Sequence, residues 1–227
     1  MPAEPLLPSR AADVASQFIR EKLRLSPVPS LPAIRIYTAH PGSGLRRLLG
    51  DRADAAAPYW AYPWAGGIAL ARFVSERPAL VAGKPVLDLG AGSGLVGIAA
   101  ALSGADKVIA AEVDPHGVAA IRLNAAANGV AVSPLAGDVT AQATLPAVDL
   151  VLAGDVFYDG ALAERVVAFL DRCVAAGITV LVGDPGRAHL PRQRLVSLAE
   201  YDVPDFGEGA SASGKGYVFA YEAALRT

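Results

Sequence analysis

Cysteine occurs once in the 227 residues, as Cys173, so the chain offers neither a disulfide framework nor a thiolate metal cluster. A lone thiol fits a reducing compartment, and the expected location is cytoplasmic. Histidine is equally sparse: His40, His116 and His189 stand at no ligand-like spacing, so no metal site is expected. No stretch of about 18 uninterrupted apolar residues occurs, which argues against a membrane-spanning helix. The start, MPAEPLLPSRAADVASQF, lacks a basic region followed by an apolar core, and its acids Glu4 and Asp13 speak against a transit peptide. An excess of basic charge is missing too. The net charge is -2, Arg46-Arg47 is the densest basic spot, and no nucleic-acid partner is expected. Neither the G-x-S-x-G elbow nor the phosphate-cradling G-x-x-x-x-G-K-[ST] loop occurs.

What is present is apolar and turn-rich: 53% hydrophobic residues, 23 glycines and 17 prolines. The length suits one α/β domain with a short N-terminal extension. Residues 1–57 read as that extension, with a helix around 11–24, a proline-punctuated linker SPVPSLP, and a strand IRIYTA at 34–39. Residues 40–63 read as irregular and carry the aromatics Tyr59, Trp60 and Tyr62, with Trp64 just beyond. GIALARFVSE then has helical spacing and stops before Pro78.

From Lys84 the pattern alternates. PVLDLG, KVIAAEV, VAVSPLAG, VDLVLAG and ITVLVGD are almost wholly apolar, as strands buried on both faces of a parallel sheet must be. Helical stretches separate most of them, which predicts a doubly wound sheet. LAEYDVPDF and KGYVFAYEA, joined by GEGASASG, read as a closing hairpin. An antiparallel hairpin ending an otherwise parallel sheet points to a Rossmann-like, seven-stranded class I methyltransferase fold, with the methyltransferase domain at 58–227.

The sharpest local signal is Val86-Leu87-Asp88-Leu89-Gly90-Ala91-Gly92-Ser93-Gly94. A strand ends, glycines turn the backbone, and a helix begins, at the kind of crossover where open sheets bind ligands. Glycines permit close approach, and the helix N-terminal amides attract negative groups. Glu112 ends the next strand, 22 positions after Gly90, where a carboxylate can accept both ribose hydroxyls of a nucleoside. Asp138 follows the third strand, at the adenine edge. A dinucleotide reading competes, because Gly92 opens a formal G-x-G-x-x-G. It fails in the register set by the strand, where Leu95 occupies the third glycine's place. No Tyr-x-x-x-Lys couple exists either. The cofactor expected is S-adenosyl-L-methionine, held by Asp88, Gly90, Ala91, Gly92, Gly94, Glu112, Val113, Asp138 and Val139, with Trp60 and Trp64 covering it.

The fourth strand runs into Gly154-Asp155-Val156-Phe157-Tyr158-Asp159 and the fifth into Gly183-Asp184-Pro185-Gly186-Arg187. Such an acidic edge can receive an amine. An ammonium has no free lone pair, so burial must lower its pKa while a carboxylate orients it and takes the proton. Asp155 is the catalytic candidate, and Tyr158 and Phe157 wall the channel. Phe157, Asp159, Asp184 and Arg187 are the candidate substrate contacts, with helix capping as the competing role for the aspartates.

These residues resemble a particular family. Asp155-Val156-Phe157-Tyr158 matches the D-x-x-Y motif of seven-strand protein methyltransferases that act on lysine. Pro58-Tyr59-Trp60-Ala61, Trp64 with Gly66-Gly67, Val86 to Gly94, Gly154 to Asp159 and Gly183 to Arg187 together resemble the electron transfer flavoprotein β-subunit lysine methyltransferases. Ala65 departs from that pattern, which has proline there. The resemblance implies a protein-lysine N-methyltransferase with Asp155 and Tyr158 as catalytic residues at the acceptor amine and that β subunit as protein partner; the short apolar runs lead to no expectation of a membrane partner. An N-methyltransferase of a small amine such as nicotinamide, and a cofactor-binding protein without activity, are the alternatives.

Overall fold

The computed structural model describes residues 9–45, 57–205 and 212–222. Helix α1 spans Ser9–Lys22, and strands β1 (Arg24–Val28) and β2 (Leu31–Thr38) pair antiparallel. The SPVPSLP segment, expected to be a linker, is therefore mostly hairpin. Pro27 lies opposite Arg35, the register shifts at Pro27/Val28, and Ser30 makes the turn with a left-handed φ of 66°. A two-stranded ribbon has no central strand, so it tolerates the missing proline donors.

After a short turn at Tyr59–Ala61, α2 (Ala65–Glu76) leads into the alternating region: β3 (Pro85–Leu89), α3 (Leu95–Leu102), β4 (Lys107–Glu112), α4 (Pro115–Ala127), β5 (Ser133–Ala136), β6 (Leu150–Gly154), α5 (Gly160–Ala175) and β7 (Thr179–Asp184). The long strands β8 (Leu195–Asp205) and β9 (Ala212–Tyr221) close the chain. One sheet results, in the order β5-β4-β3-β6-β7-β9-β8, with β3 to β7 parallel and β9 antiparallel to both neighbours. The order reverses beside β3, and that opens the crevice in which such sheets bind ligands. Arg46-Arg47 and much of the GEGASASG turn lie outside the described residues.

The all-apolar strands serve two cores, because successive side chains point to opposite faces. Val86, Leu150, Leu152 and Leu181 join α2 and α3 on one face. Leu87, Leu89, Val151, Ala153, Val180 and Val182 join α5 on the other. A third cluster seats Ile19 of α1 and Trp60 against Ala119 and Ala120 of α4. Helix α2 lies very close to the sheet. A methyl group on Gly183 would stand 2.2 Å from the Gly66 carbonyl oxygen, and one on Gly66 would stand 2.4 Å from that of Gly183. Only glycine at both positions permits this approach. It brings the first turn of α2 to the carboxyl ends of β6 and β7.

Candidate functional site

A cavity of ≈ 560 Å³ opens at the carboxyl ends of β3, β4 and β6. That size is ordinary for a small-molecule site, roughly 300–1,000 Å³. Its floor is the glycine turn after β3. Gly92 and Gly94 hold φ of 54° and 79°, a left-handed region that residues with a side chain rarely adopt. The Gly92 N–H donates to Glu112 Oε2 at 2.7 Å, and the Asp114 N–H donates to Oε1 at 2.8 Å. Glu112 is therefore clamped by backbone while each oxygen keeps acceptor capacity. Burial pushes its carboxyl above the ordinary range, against the pull of those two amides.

Asp88 is 1% exposed and accepts the Gly97 N–H at 2.7 Å, in the first turn of α3. No side chain caps α3 at Gly94, so Asp88 satisfies one of its orphan amides and leaves others for a ligand or water. Burial pushes the Asp88 carboxyl up to about 7. Asp138 takes the Thr140 N–H and hydroxyl on Oδ1, while Oδ2 lies 3.7 Å from the Arg165 guanidinium. Ala91, Val113 and Val139 line the same cavity, Val113 at the exposed rim and Val139 buried.

Across the cavity, Asp155 leaves β6 with a left-handed φ of 58°. Its Oδ2 accepts the Gly67 N–H at 2.5 Å, the bond that the close seating of α2 makes reachable. Its Oδ1 pairs with the Arg187 guanidinium. Burial pushes the Asp155 carboxyl above the ordinary range, while the Arg187 charge opposes that shift. Tyr158 is 48% exposed at the mouth, its ring 5.1 Å from that of Tyr59. Burial of its hydroxyl raises its pKa, so it stays a neutral phenol. Trp64 donates its indole N–H to the Tyr59 carbonyl at 2.8 Å and meets that ring edge-on. Aromatic walls and a buried carboxylate thus converge on one opening.

Three candidates do not line this cavity. Phe157 is fully buried in the core beneath α5, in one cluster with Val156, Phe169 and Leu170, and it does not line the cavity. Asp184 is also fully buried and away from the cavity. Its Oδ1 accepts the Gly186 and Arg187 N–H groups at 2.7 Å, so it shapes the turn that presents Arg187. Gly94 is outside the cavity lining, and a methyl group there would stand 3.2 Å from Ile121. Asp159 has a double position: it lines the cavity and caps α5 through the Leu162 N–H at 2.9 Å. Trp60 also lines the cavity, but it is a core residue, 2% exposed, and its indole N–H has no partner among the described residues.

Sequence reading missed Leu162, Arg165 and Val166, one face of α5 that walls the cavity. Their 3- and 4-residue spacing was the available signal, but nothing in it tells a core face from a cavity face. In the sequence Gly67 is only part of a motif, because its amide bond to Asp155 depends on tertiary packing.

Residues 61–193 match the protein-family model described as lysine methyltransferase. The chain is 44% identical over 153 residues to the electron transfer flavoprotein beta subunit lysine methyltransferase of Danio rerio, covering 65% of this chain and 59% of that one. To the Xenopus laevis protein of the same name it is 36% identical over 203 residues, covering 86% and 81%. The chain thus spans about three fifths of the fish relative and most of the frog one. Among solved structures, the C-terminal domain of precorrin-6Y C5,15-methyltransferase from Rhodobacter capsulatus superposes with a TM-score of 0.50 at 20% identity, over 73% of this chain and 96% of that one. That likeness concerns the fold. The sheet order, the glycine turn and the sequence matches together place the chain in the lysine methyltransferase family, among the electron transfer flavoprotein β-subunit lysine methyltransferases.

Proposed function

We propose that the protein is an S-adenosylmethionine-dependent protein-lysine N-methyltransferase whose substrate is the β subunit of electron transfer flavoprotein. One observation carries the reading: one cavity is lined both by a backbone-clamped Glu112 and by a buried Asp155, with Tyr59, Trp64 and Tyr158 in the same lining. The Glu112 side fits a nucleoside and the Asp155 side fits an amine. Residues 58–227 act as the methyltransferase domain in this reading, with 1–57 as its extension.

Glu112 holds the ribose hydroxyls with its remaining lone pairs, and Asp138 offers Oδ2 to the adenine edge. The Gly90-Ala91-Gly92 backbone and the open amides of α3 receive the amino-acid end, near Asp88. Bound there, S-adenosylmethionine supplies a methyl group already activated by its sulfonium charge. Asp155 orients the lysine amine and accepts its proton through the capacity that Arg187 and Gly67 leave free. Tyr158, Tyr59 and Trp64 wall the opening and keep water from the amine. Most of the acceleration then comes from alignment of the amine with the methyl group.

Calorimetry with S-adenosylhomocysteine tests the cofactor half. Binding is expected, and Glu112→Ala should weaken it by roughly 1–3 kcal/mol, the scale of lost hydrogen bonds to a charged group. Tight NAD binding with no response to S-adenosylhomocysteine would contradict the assignment.

A further inference from the structure

Asn124 on α4 and Asn128, which caps the end of that helix, stand one turn apart and do the work of a strand. Tyr37 N–H donates to Asn124 Oδ1 at 2.8 Å, and Arg35 N–H donates to Asn128 Oδ1 at 2.9 Å. Asn128 Nδ2 returns a bond to the Arg35 carbonyl at 2.6 Å. The match is geometric. Four residues of helix rise about 6 Å, close to the roughly 6.7 Å between alternate residues of a strand. The outer edge of β2, which β1 does not pair, thereby finds its partners on the helix.

Asn124 differs from its neighbour in one respect. Its carboxamide is fully buried, and Nδ2 donates to the Ser93 carbonyl at 2.8 Å. Ser93 lies between the left-handed Gly92 and Gly94, in the turn that also gives Glu112 its amide. One side chain therefore joins the N-terminal hairpin to the floor of the cavity. The turn's glycines have little intrinsic preference for one conformation, so an external tether matters more there than elsewhere.

We infer that Asn124 is a positioning residue: it fixes the Ser93 carbonyl, and so the Gly92–Gly94 turn, in the shape that receives the cofactor, and it makes the β1–β2 hairpin part of the binding apparatus. The inference rests on the cofactor reading above. Asn124→Asp keeps the size and the acceptor for Tyr37 N–H, but sets a carboxylate against the Ser93 carbonyl. Asn124→Ala removes both bonds.

The test measures S-adenosylhomocysteine affinity by calorimetry and backbone hydrogen exchange in the ligand-free protein. Val74→Ala, a buried truncation at the far end of α2, serves as a control of matched stability loss. Both Asn124 variants should bind about tenfold more weakly, in the range expected for a lost buried hydrogen bond. Exchange across residues 92–97 should quicken in them without ligand, while Val74→Ala keeps parental affinity and exchange there. If Asn124→Ala does not fold, Asn124→Asp decides. Parental affinity and parental exchange in Asn124→Asp overturn the inference and leave the cofactor reading intact. A parent protein that does not bind S-adenosylhomocysteine overturns the cofactor reading instead. Exchange at 92–97 then still decides whether Asn124 tethers the turn.

Discussion

Asp155 projects its carboxylate from a left-handed backbone, and that conformation selects the substitution that tests it. Asparagine adopts the left-handed region more readily than other residues with a side chain, and it can still accept the Gly67 N–H. Asp155→Asn therefore removes charge with little backbone cost, whereas Asp155→Ala adds about 1 kcal/mol of strain. Turnover of Asp155→Asn is expected to fall by about two orders of magnitude or more while S-adenosylhomocysteine still binds. A parental rate would reduce Asp155 to a turn residue. Asp88 makes a different prediction, in the free protein. Its carboxyl is raised from 3.8 to about 7, so the protonated form is the one that folding favours. The resulting stability is fully present below about pH 4 and is lost as pH rises through about 7. Melting temperatures between about pH 5 and 8 should fall less steeply in Asp88→Asn than in the parent, and an identical slope would contradict this.

Among the elements, the seam between α2 and β7 carries the most consequence. Gly183→Ala would press a methyl group onto the Gly66 carbonyl, and the helix must shift for it to fit. The expected cost is roughly 3 kcal/mol, the scale of overpacking in a close-packed interior. Because Gly67 follows Gly66, the shift also draws its amide off Asp155, so denaturant midpoint and turnover should fall together. The parallel strands and their helices were legible in the sequence because burial on both faces forces near-continuous apolar runs. Strand β1 was not legible: Pro27 and Pro29 read as linker, and what holds the ribbon on its other edge is a pair of asparagines 87 and 93 positions away. The candidate site shows the same division. Glu112, Asp88, Asp155 and Tyr158 follow from strand ends and motif spacing. Asp184 and Phe157 lie on those same ends, yet Asp184 turns inward to bond the Gly186 and Arg187 amides and Phe157 joins the core under α5.

For the whole molecule, the charge near the cavity is smaller than its aspartates suggest. Asp155 and Asp184 share the Arg187 guanidinium, and Asp138 stands near Arg165. Long-range attraction of a lysine-rich substrate should thus be weak. kcat/KM is expected to change less than about threefold as added salt shortens the Debye length below about 8 Å, and a steep fall would reveal an acidic face acting at a distance. Recognition then rests on the aromatic opening and on surfaces around it. No helix among the described residues is long and apolar enough to cross a membrane. The most direct measurement mixes the purified protein, S-adenosylmethionine and electron transfer flavoprotein, then weighs the β subunit by intact-mass spectrometry. Steps of about 14 Da, mapping to lysine and absent with Asp155→Asn, are the expected result, since the carboxylate is assigned the amine's orientation and proton. A β subunit of unchanged mass, beside a methylated small amine such as nicotinamide in the same mixture, would contradict the proposed substrate.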